Sequence, residues 1–142
     1  MKNHNHGYRI AMASDHGGWQ LKEHLRVWLT ARAHDVMDCG CHDASSVDYP
    51  DYVHDACKLL EEHYVDRAIV VCGSGIGASI ASNRHPGVRC ALVHNEELAR
   101  LSRQHNNANV LALPGRFVSF ELAAQMAEVF LTTPFEGGRH ET

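Results

Sequence analysis

The segment Ala68-Ile69-Val70-Val71-Cys72-Gly73-Ser74-Gly75-Ile76-Gly77-Ala78-Ser79 constrains the fold more than any other part of the chain. Its first four residues form a continuous apolar run, the pattern of a strand covered on both faces rather than on one. The run ends at Cys72, glycines alternate at 73, 75 and 77, and a helix pattern begins near Ile76. A doubly covered strand that turns sharply into a helix is the repeating unit of a parallel α/β sheet. Alternating glycines let the backbone approach a ligand closely and allow several N–H groups to point into one small space. The helix N-terminus adds partial positive charge. A thiol therefore stands beside a place suited to an anion.

The remaining chain repeats this unit. Tyr8 to Ala13 predicts a strand that ends in Ser14-Asp15-His16-Gly17-Gly18, followed by a helix with Leu21, Leu25, Trp28 and Leu29 at helical spacing. Val36-Met37 centres a second short strand. Residues 39–50 read as a loop in which Pro50 stops regular structure and Asp51 caps a helix carrying Val53, Ala56, Cys57 and Leu60 inward. After the central strand and a helix over Ile76–Asn83 come a strand (Val88–Val93) and a helix (Glu96–His105). A fifth strand (Asn109–Leu113) and a last helix (Val118–Leu131) follow, the latter with Leu122, Met126, Val129 and Phe130 on one side. The expected architecture is a single three-layer α/β domain with a five-stranded parallel sheet over residues 8–142 and right-handed crossovers, preceded by a flexible segment over 1–7. Open sheets of this kind bind ligands beyond the carboxyl ends of the strands, where the winding reverses. Asp15-His16, Cys72 to Gly77 and Arg116 follow the first, third and fifth strands, so reactive groups are expected on one rim.

Composition removes several function classes. With 142 residues and 44% hydrophobic residues, the chain is one ordinary domain with enough material for a core. Lys plus Arg is 13 against 17 Asp plus Glu, so no basic excess points to nucleic acid. No apolar run reaches membrane-spanning length and the first residues lack the apolar centre of a signal peptide, so a cytoplasmic protein without a membrane partner is expected. Five irregularly spaced cysteines without a CxxC pair fit reduced thiols. The 12 histidines are scattered, with no HxxxH. Cys39-Gly40-Cys41-His42 is a local cluster that reads as a loop with a solvent-facing histidine, and only secondarily as a metal site.

Several residues admit two readings. Cys72 is either a buried strand-end cysteine or an activated thiol, and the glycine turn favours the second. Cys57 and Cys90 lie among apolar neighbours and read as core. Gly73, Gly75 and Ala78 match a permissive dinucleotide fingerprint with Glu96 and Glu97 as the ribose contact, but the turn follows the third strand instead of the first. Asp15 reads as a helix cap or, with His16 beside it, as part of a site. His105, in the polar stretch Arg103-Gln104-His105-Asn106-Asn107-Ala108-Asn109, is a surface histidine or a proton carrier. Arg116 and Arg139 are solvated arginines or phosphate ligands, the latter behind two glycines.

Taken together, Ser14-Asp15-His16-Gly17-Gly18, Val47-Asp48-Tyr49-Pro50, Val71 to Gly77, Arg103-Gln104-His105-Asn106, Asn109 to Leu113 and Phe135-Glu136-Gly137-Gly138-Arg139-His140 resemble the ribose-5-phosphate isomerase B type of sugar-phosphate isomerase. The resemblance runs from about residue 8 to the end, in order and spacing. It implies a Rossmann-like domain that forms a homodimer, or a tetramer, with active sites shared between subunits. It also implies interconversion of D-ribose 5-phosphate and D-ribulose 5-phosphate without metal or cofactor. In this family's pattern Cys72 matches the base that moves a proton between C1 and C2, and His105, assisted by Asp15, matches the group that opens the sugar ring. Ser74 and the backbone N–H groups of Gly73, Gly75 and Gly77 match the hole for the enediolate oxygens, with serine where threonine is frequent. Tyr49 and Asn106 match substrate contacts, and His16, Arg116 and Arg139 match the phosphate grip.

Two departures bear on the substrate. The family commonly carries a second arginine four residues beyond Arg139, and Thr142 falls one residue short of it, so a differently built phosphate grip is expected. Pro114 stands where glycine is frequent, which is expected to shift Arg116 and alter the sugar length that fits. The neighbouring readings are an isomerase of four- or six-carbon sugar phosphates, a non-catalytic phosphosugar-binding subunit, and a small nucleotide-binding module. Cys72 and His105 together speak against the second.

Overall fold

The computed structural model describes residues 7–40 and 49–137, the side chains of 49–51 excepted. Five strands and five helices alternate: β1 (Arg9–Ser14), α1 (Trp19–Ala31), β2 (Asp35–Asp38), α2 (Tyr49–Glu61) and β3 (Arg67–Cys72) form the first half. Then come α3 (Ile76–Ser82), β4 (Cys90–Leu92), α4 (Glu96–Gln104), β5 (Val110–Pro114) and α5 (Phe120–Thr132). The strands form one sheet in the order β2-β1-β3-β5-β4, and every pairing is parallel. The expected five-stranded parallel α/β sheet is the observed one. Winding reverses between β1 and β3, which places a crevice at their carboxyl ends.

The two faces of the sheet are built from residues of different size. Ile10 and Met12 of β1, Ile69 and Val71 of β3, and Leu111 and Leu113 of β5 pack with α1, α4 and α5. The alternate residues Ala11, Ala13, Ala68, Val70, Cys72, Val110 and Ala112 pack with α2 and α3. Side chains alternate across a strand, so a single apolar run supplies both layers. The inward residues expected of α2, Val53, Ala56, Cys57 and Leu60, are buried as the pattern requires.

One boundary differs from expectation. Helix α2 begins at Tyr49, so Pro50 lies inside its first turn and Asp51 does not precede it. The first turn has no intrahelical use for the missing proline N–H, so proline starts a helix there as readily as it stops one elsewhere. The Cys41-His42 part of the cysteine–histidine cluster lies outside the described residues.

A buried cation ties α1 to the edge of the sheet. Lys22 is completely buried, and its Nζ donates to both carboxylate oxygens of Asp38 at 2.8 Å and to Glu23 at 2.9 Å. Ion pairs in such positions are costly to break one-sidedly, because the remaining charge keeps its desolvation penalty. Lys22→Met is therefore expected to lower unfolding free energy by about 3 kcal/mol, measured as a shift in urea midpoint. An unchanged midpoint would show that Asp38 is adequately solvated alone.

Candidate functional site

The carboxyl ends of β1, β3 and β5 each run into a turn, and the three turns interlock by backbone contacts. Asp15 donates its N–H to Val71 O at 3.3 Å, Gly115 to Cys72 O at 2.8 Å and Arg116 to Gly73 O at 3.0 Å. There is no room for side chains between them. A methyl on Gly18 would lie 2.6 Å from Val71 Cγ1 and 2.8 Å from its carbonyl carbon, and one on Gly115 would lie 3.0 Å from the same Cγ1. Pro114 is the last residue of β5, opposite Cys72, and needs no N–H there, so the turn beyond it still closes on β3.

Cys72 sits at this junction, almost fully buried, and its Sγ accepts the N–H of Gly75 at 3.1 Å. An N–H aimed at sulfur is a contact that strengthens when the sulfur carries charge. Gly75 reaches it with φ of +79°, and a methyl there would strike Leu92 Cδ1 at 2.4 Å. The turn thus needs glycine for both conformation and space. Ser74 is exposed and its Oγ accepts the N–H of Ile76 at 3.2 Å, while Gly77 lies in the first turn of α3. At seven residues α3 is short, so oriented N–H groups matter more here than an extended helix dipole.

Asp15 does not cap α1. Its Oδ1 accepts the N–H of Gly18 at 2.9 Å, bracing the turn, and Gly18 itself is the helix cap without any side-chain bond. His16 is exposed on the same rim. The Arg116 side chain crosses this surface: a methyl on Gly73 would lie 3.3 Å from its Cδ, and one on Gly17 would lie 3.4 Å from both its Nη2 and Asp15 Oδ1. Cys72, Gly73, Ser74, Gly75, Gly77, Asp15, His16 and Arg116 therefore share one rim.

His105 and Asn106 do not join them. They lie between α4 and the start of β5, next to the end of the sheet at which the strands begin. Cys72 pairs with Pro114 and Ala68 with Val110, so at ~3.3 Å per residue the two ends stand about 13 Å apart along β5 alone. The residues expected on the rim, Asp15-His16, Cys72 to Gly77 and Arg116, all follow strands and lie there, whereas His105 and Asn106 precede one. His105 ends α4, with Nε2 4.0 Å from Glu136 Oε1, and Glu136 donates its N–H to Gln104 O at 3.1 Å. The tail thus returns to the end of α4. Arg139 and the side chain of Tyr49 lie outside what is described.

The other described thiols differ from Cys72 in their surroundings. Burial pushes Cys57 and Cys39 from 9.0 up to about 11 and Cys90 up to about 12, which keeps them protonated at neutral pH. Among the described residues no His, Cys, Asp and Glu cluster is arranged to hold a metal, and no helix is long and apolar enough to cross a membrane. Glu96 and Glu97, the ribose contact of the dinucleotide reading, are exposed in the first turn of α4.

A doubly wound parallel sheet with a thiol, an aspartate and an arginine convergent at its switch point defines an α/β enzyme acting on a small anionic ligand. Residues 10–142 match the family model described as Ribose/Galactose Isomerase. Ribose-5-phosphate isomerase B of Escherichia coli is 38% identical over 133 residues, covering 94% of this chain and 89% of that protein. A Bacillus subtilis protein, YwlF, whose naming as a sugar phosphate isomerase is itself provisional, is 42% identical over 135 residues, 94% of this chain and 91% of its own. Among solved structures, a Thermotoga maritima ribose 5-phosphate isomerase superposes with a TM-score of 0.94 at 46% identity, covering 96% of this chain and 94% of that one. The chain belongs to the ribose/galactose isomerase family. It is a sugar-phosphate isomerase of the aldose–ketose type.

The buried thiols give a pH prediction. Thiols held neutral in the folded state and free to ionise when unfolded make stability fall as pH rises through the unfolded value. Stability is expected to be level below pH 9.0 and to decline toward about 11. Guanidinium midpoints across that range test this, and Cys57→Ala should reduce the slope. A flat profile would show that the thiols ionise equally in both states.

Proposed function

We propose that the protein interconverts D-ribose 5-phosphate and D-ribulose 5-phosphate by ring opening and proton transfer through an enediolate, with Cys72 as the base. The observation that carries this reading is the Cys72 sulfur seated in the glycine turn, under the N–H of Gly75, with the Arg116 side chain lying against Gly73 of the same turn. Proton removal beside a carbonyl is slow because negative charge builds on oxygen. Oriented donors aimed at that oxygen contribute ~3–4 kcal/mol each when tested by removal, and a positioned base adds roughly 10²–10⁴-fold. In this reading the N–H groups of Gly73, Gly75 and Gly77 and the Ser74 hydroxyl hold the enediolate. Asp15 and His105 open the ring, Tyr49 and Asn106 contact the sugar, and His16, Arg116 and Arg139 hold the phosphate. A relative from Mycoplasma genitalium, 39% identical with a TM-score of 0.88, is a ribose-5-phosphate isomerase B with bound ribulose-5-phosphate, which supports the five-carbon choice.

The opposite placement of Cys72 and His105 supports a homodimer in which each site takes Cys72 from one copy and His105 from the other. Exposed Ile76, Ile80, Leu92 and Phe117, close to the thiol turn in sequence or across it, are apolar surface that a second copy would cover. Cytoplasmic location and a place in pentose phosphate interconversion accord with this reading.

Turnover of aldose phosphates from four to six carbons, followed as ketose formation, tests the substrate. Ribose 5-phosphate is expected to give the highest kcat/KM. A higher value for a four- or six-carbon sugar would move the assignment, and binding without turnover of any would return it to a non-catalytic subunit. Cys72→Ala is expected to lose at least ~10²-fold in kcat with the melting temperature unchanged; full activity would remove the thiol from the mechanism.

Shared sites have a sharper test. Cys72→Ala and His105→Asn homomers should each be nearly inactive, whereas randomly mixed chains should recover about a quarter of wild-type activity, one intact site in each mixed dimer. No recovery after verified mixing would confine each site to one chain.

A further inference from the structure

A parallel sheet also brings together whatever begins its strands, and here that is arginine. Arg9 opens β1, Arg67 opens β3, Arg89 immediately precedes β4, and Arg103 lies in the last turn of α4 ahead of β5. All four line a cavity of about 760 Å³ at the end of the sheet opposite the Cys72 rim, together with Tyr8 and Asn107. A volume of this size is that of a small-molecule site.

The charges in this cavity are unevenly compensated. Arg9 is occupied by Asp66, through Nη2 at 3.3 Å and its backbone N–H at 2.9 Å. Glu61, the other carboxylate lining the cavity, is held by His85 at 2.7 Å. The remaining three guanidiniums make hydrogen bonds to neutral oxygens. Arg67 donates to Asp66 O at 2.9 Å, faces the Tyr8 ring at 5.3 Å and leaves its buried Nε without an acceptor. Arg103, itself buried, donates to Ala108 O at 2.7 Å, Asn107 Oδ1 at 2.8 Å and Thr133 O at 3.1 Å. Arg89 donates to Asn107 O at 2.9 Å. None of these three forms an ion pair with a carboxylate among the described residues. Burial, reinforced by Arg67 and Arg89, pushes Arg103 down to about 10, and burial pushes Arg67 down as well, against the opposing pull of Tyr8 and Asp66. Like charges held together in a partly dry cavity are a standing cost that a multivalent anion relieves. Guanidinium donors match phosphate oxygens in pairs, which single carboxylates use less fully.

We infer that this cavity is a binding site for a phosphate-bearing small molecule, distinct from the carboxyl-rim site and held by Arg67, Arg89 and Arg103. The full chain titrated calorimetrically with inorganic pyrophosphate, and separately with orthophosphate, tests it at physiological salt. Pyrophosphate is expected to bind more tightly than orthophosphate. Arg67→Gln should weaken pyrophosphate binding at least tenfold without lowering the melting temperature of the free protein, whereas Arg116→Gln should leave this site intact. Should Arg67→Gln fail to fold, Arg89→Gln makes the same test. Unchanged binding in both cavity variants, or complete loss of binding in Arg116→Gln, would overturn the site. The measurement reads heat of binding and not turnover, so its failure is separate from any failure of the isomerase assignment.

Discussion

The close approach of three strand-end turns around Val71 is the contact on which the rest of the rim depends. Gly18 and Gly115 lie against Val71 with no space for a methyl group, and backbone hydrogen bonds from Asp15, Gly115 and Arg116 reach the ends of β3 and its turn. Positions of the reactive groups are therefore set by main chain packed on main chain. Side chains attached to such a frame lose little further freedom on binding a substrate, which is the condition that orientation requires. It also accounts for Asp15: a carboxylate that bonds the N–H of Gly18 keeps one oxygen engaged in holding the turn.

The asymmetry between the two faces of the sheet places the thiol. Large side chains from β1, β3 and β5 fill the layer under α1, α4 and α5, while mainly small ones meet α2 and α3. Cys72 belongs to the second layer, as does buried Cys57, with Cys39 and Cys90 packed against it. The thiols of Cys39, Cys57 and Cys90 are held protonated by burial. What separates Cys72 from them is position: it ends its strand, so its sulfur meets the N–H of Gly75 in a turn instead of a packed helix face. One residue earlier or later on β3 it would face the other layer or leave the strand.

Much of this was legible in the sequence because apolar periodicity and strand–turn–helix spacing report local geometry. The central run of β3, the inward residues of α2 and the residues that follow β1, β3 and β5 all obeyed that local logic. Burial of polar groups is decided by partners distant in the chain, and there the sequence was silent. Nothing local marks Lys22 as more buried than other helical lysines; Asp38, 16 residues on, makes it so. The start of α2 is ambiguous in the sequence because proline both stops and starts helices, and here Pro50 lies in the first turn. His105 reads in the sequence as a surface histidine or a proton carrier, and its place before β5 puts it at the other end of the sheet from Cys72. The arginines were equally available as a pattern, each standing at or just before the start of a strand, but only parallel pairing turns that pattern into a cluster.

A parallel sheet has two chemically different ends, and this one carries a different set of side chains at each. Its carboxyl end presents glycine turns, a thiol and Arg116; its amino end presents guanidiniums and the loop carrying His105 and Asn106. That loop is firmly held: Arg103 and Arg89 both bond Asn107, whose φ of +50° is unusual for a residue other than glycine. On the proposed reading, the two ends must meet, and a single chain cannot fold one onto the other. A two-fold pair resolves this, because any contact that brings patch i of one copy to patch j of its partner brings j to i as well. Two complete sites then arise from one type of contact, and neither exists in an isolated chain. Coupling of assembly to activity would follow from the direction of the strands, since a sheet whose ends were interchangeable would have no need of a partner.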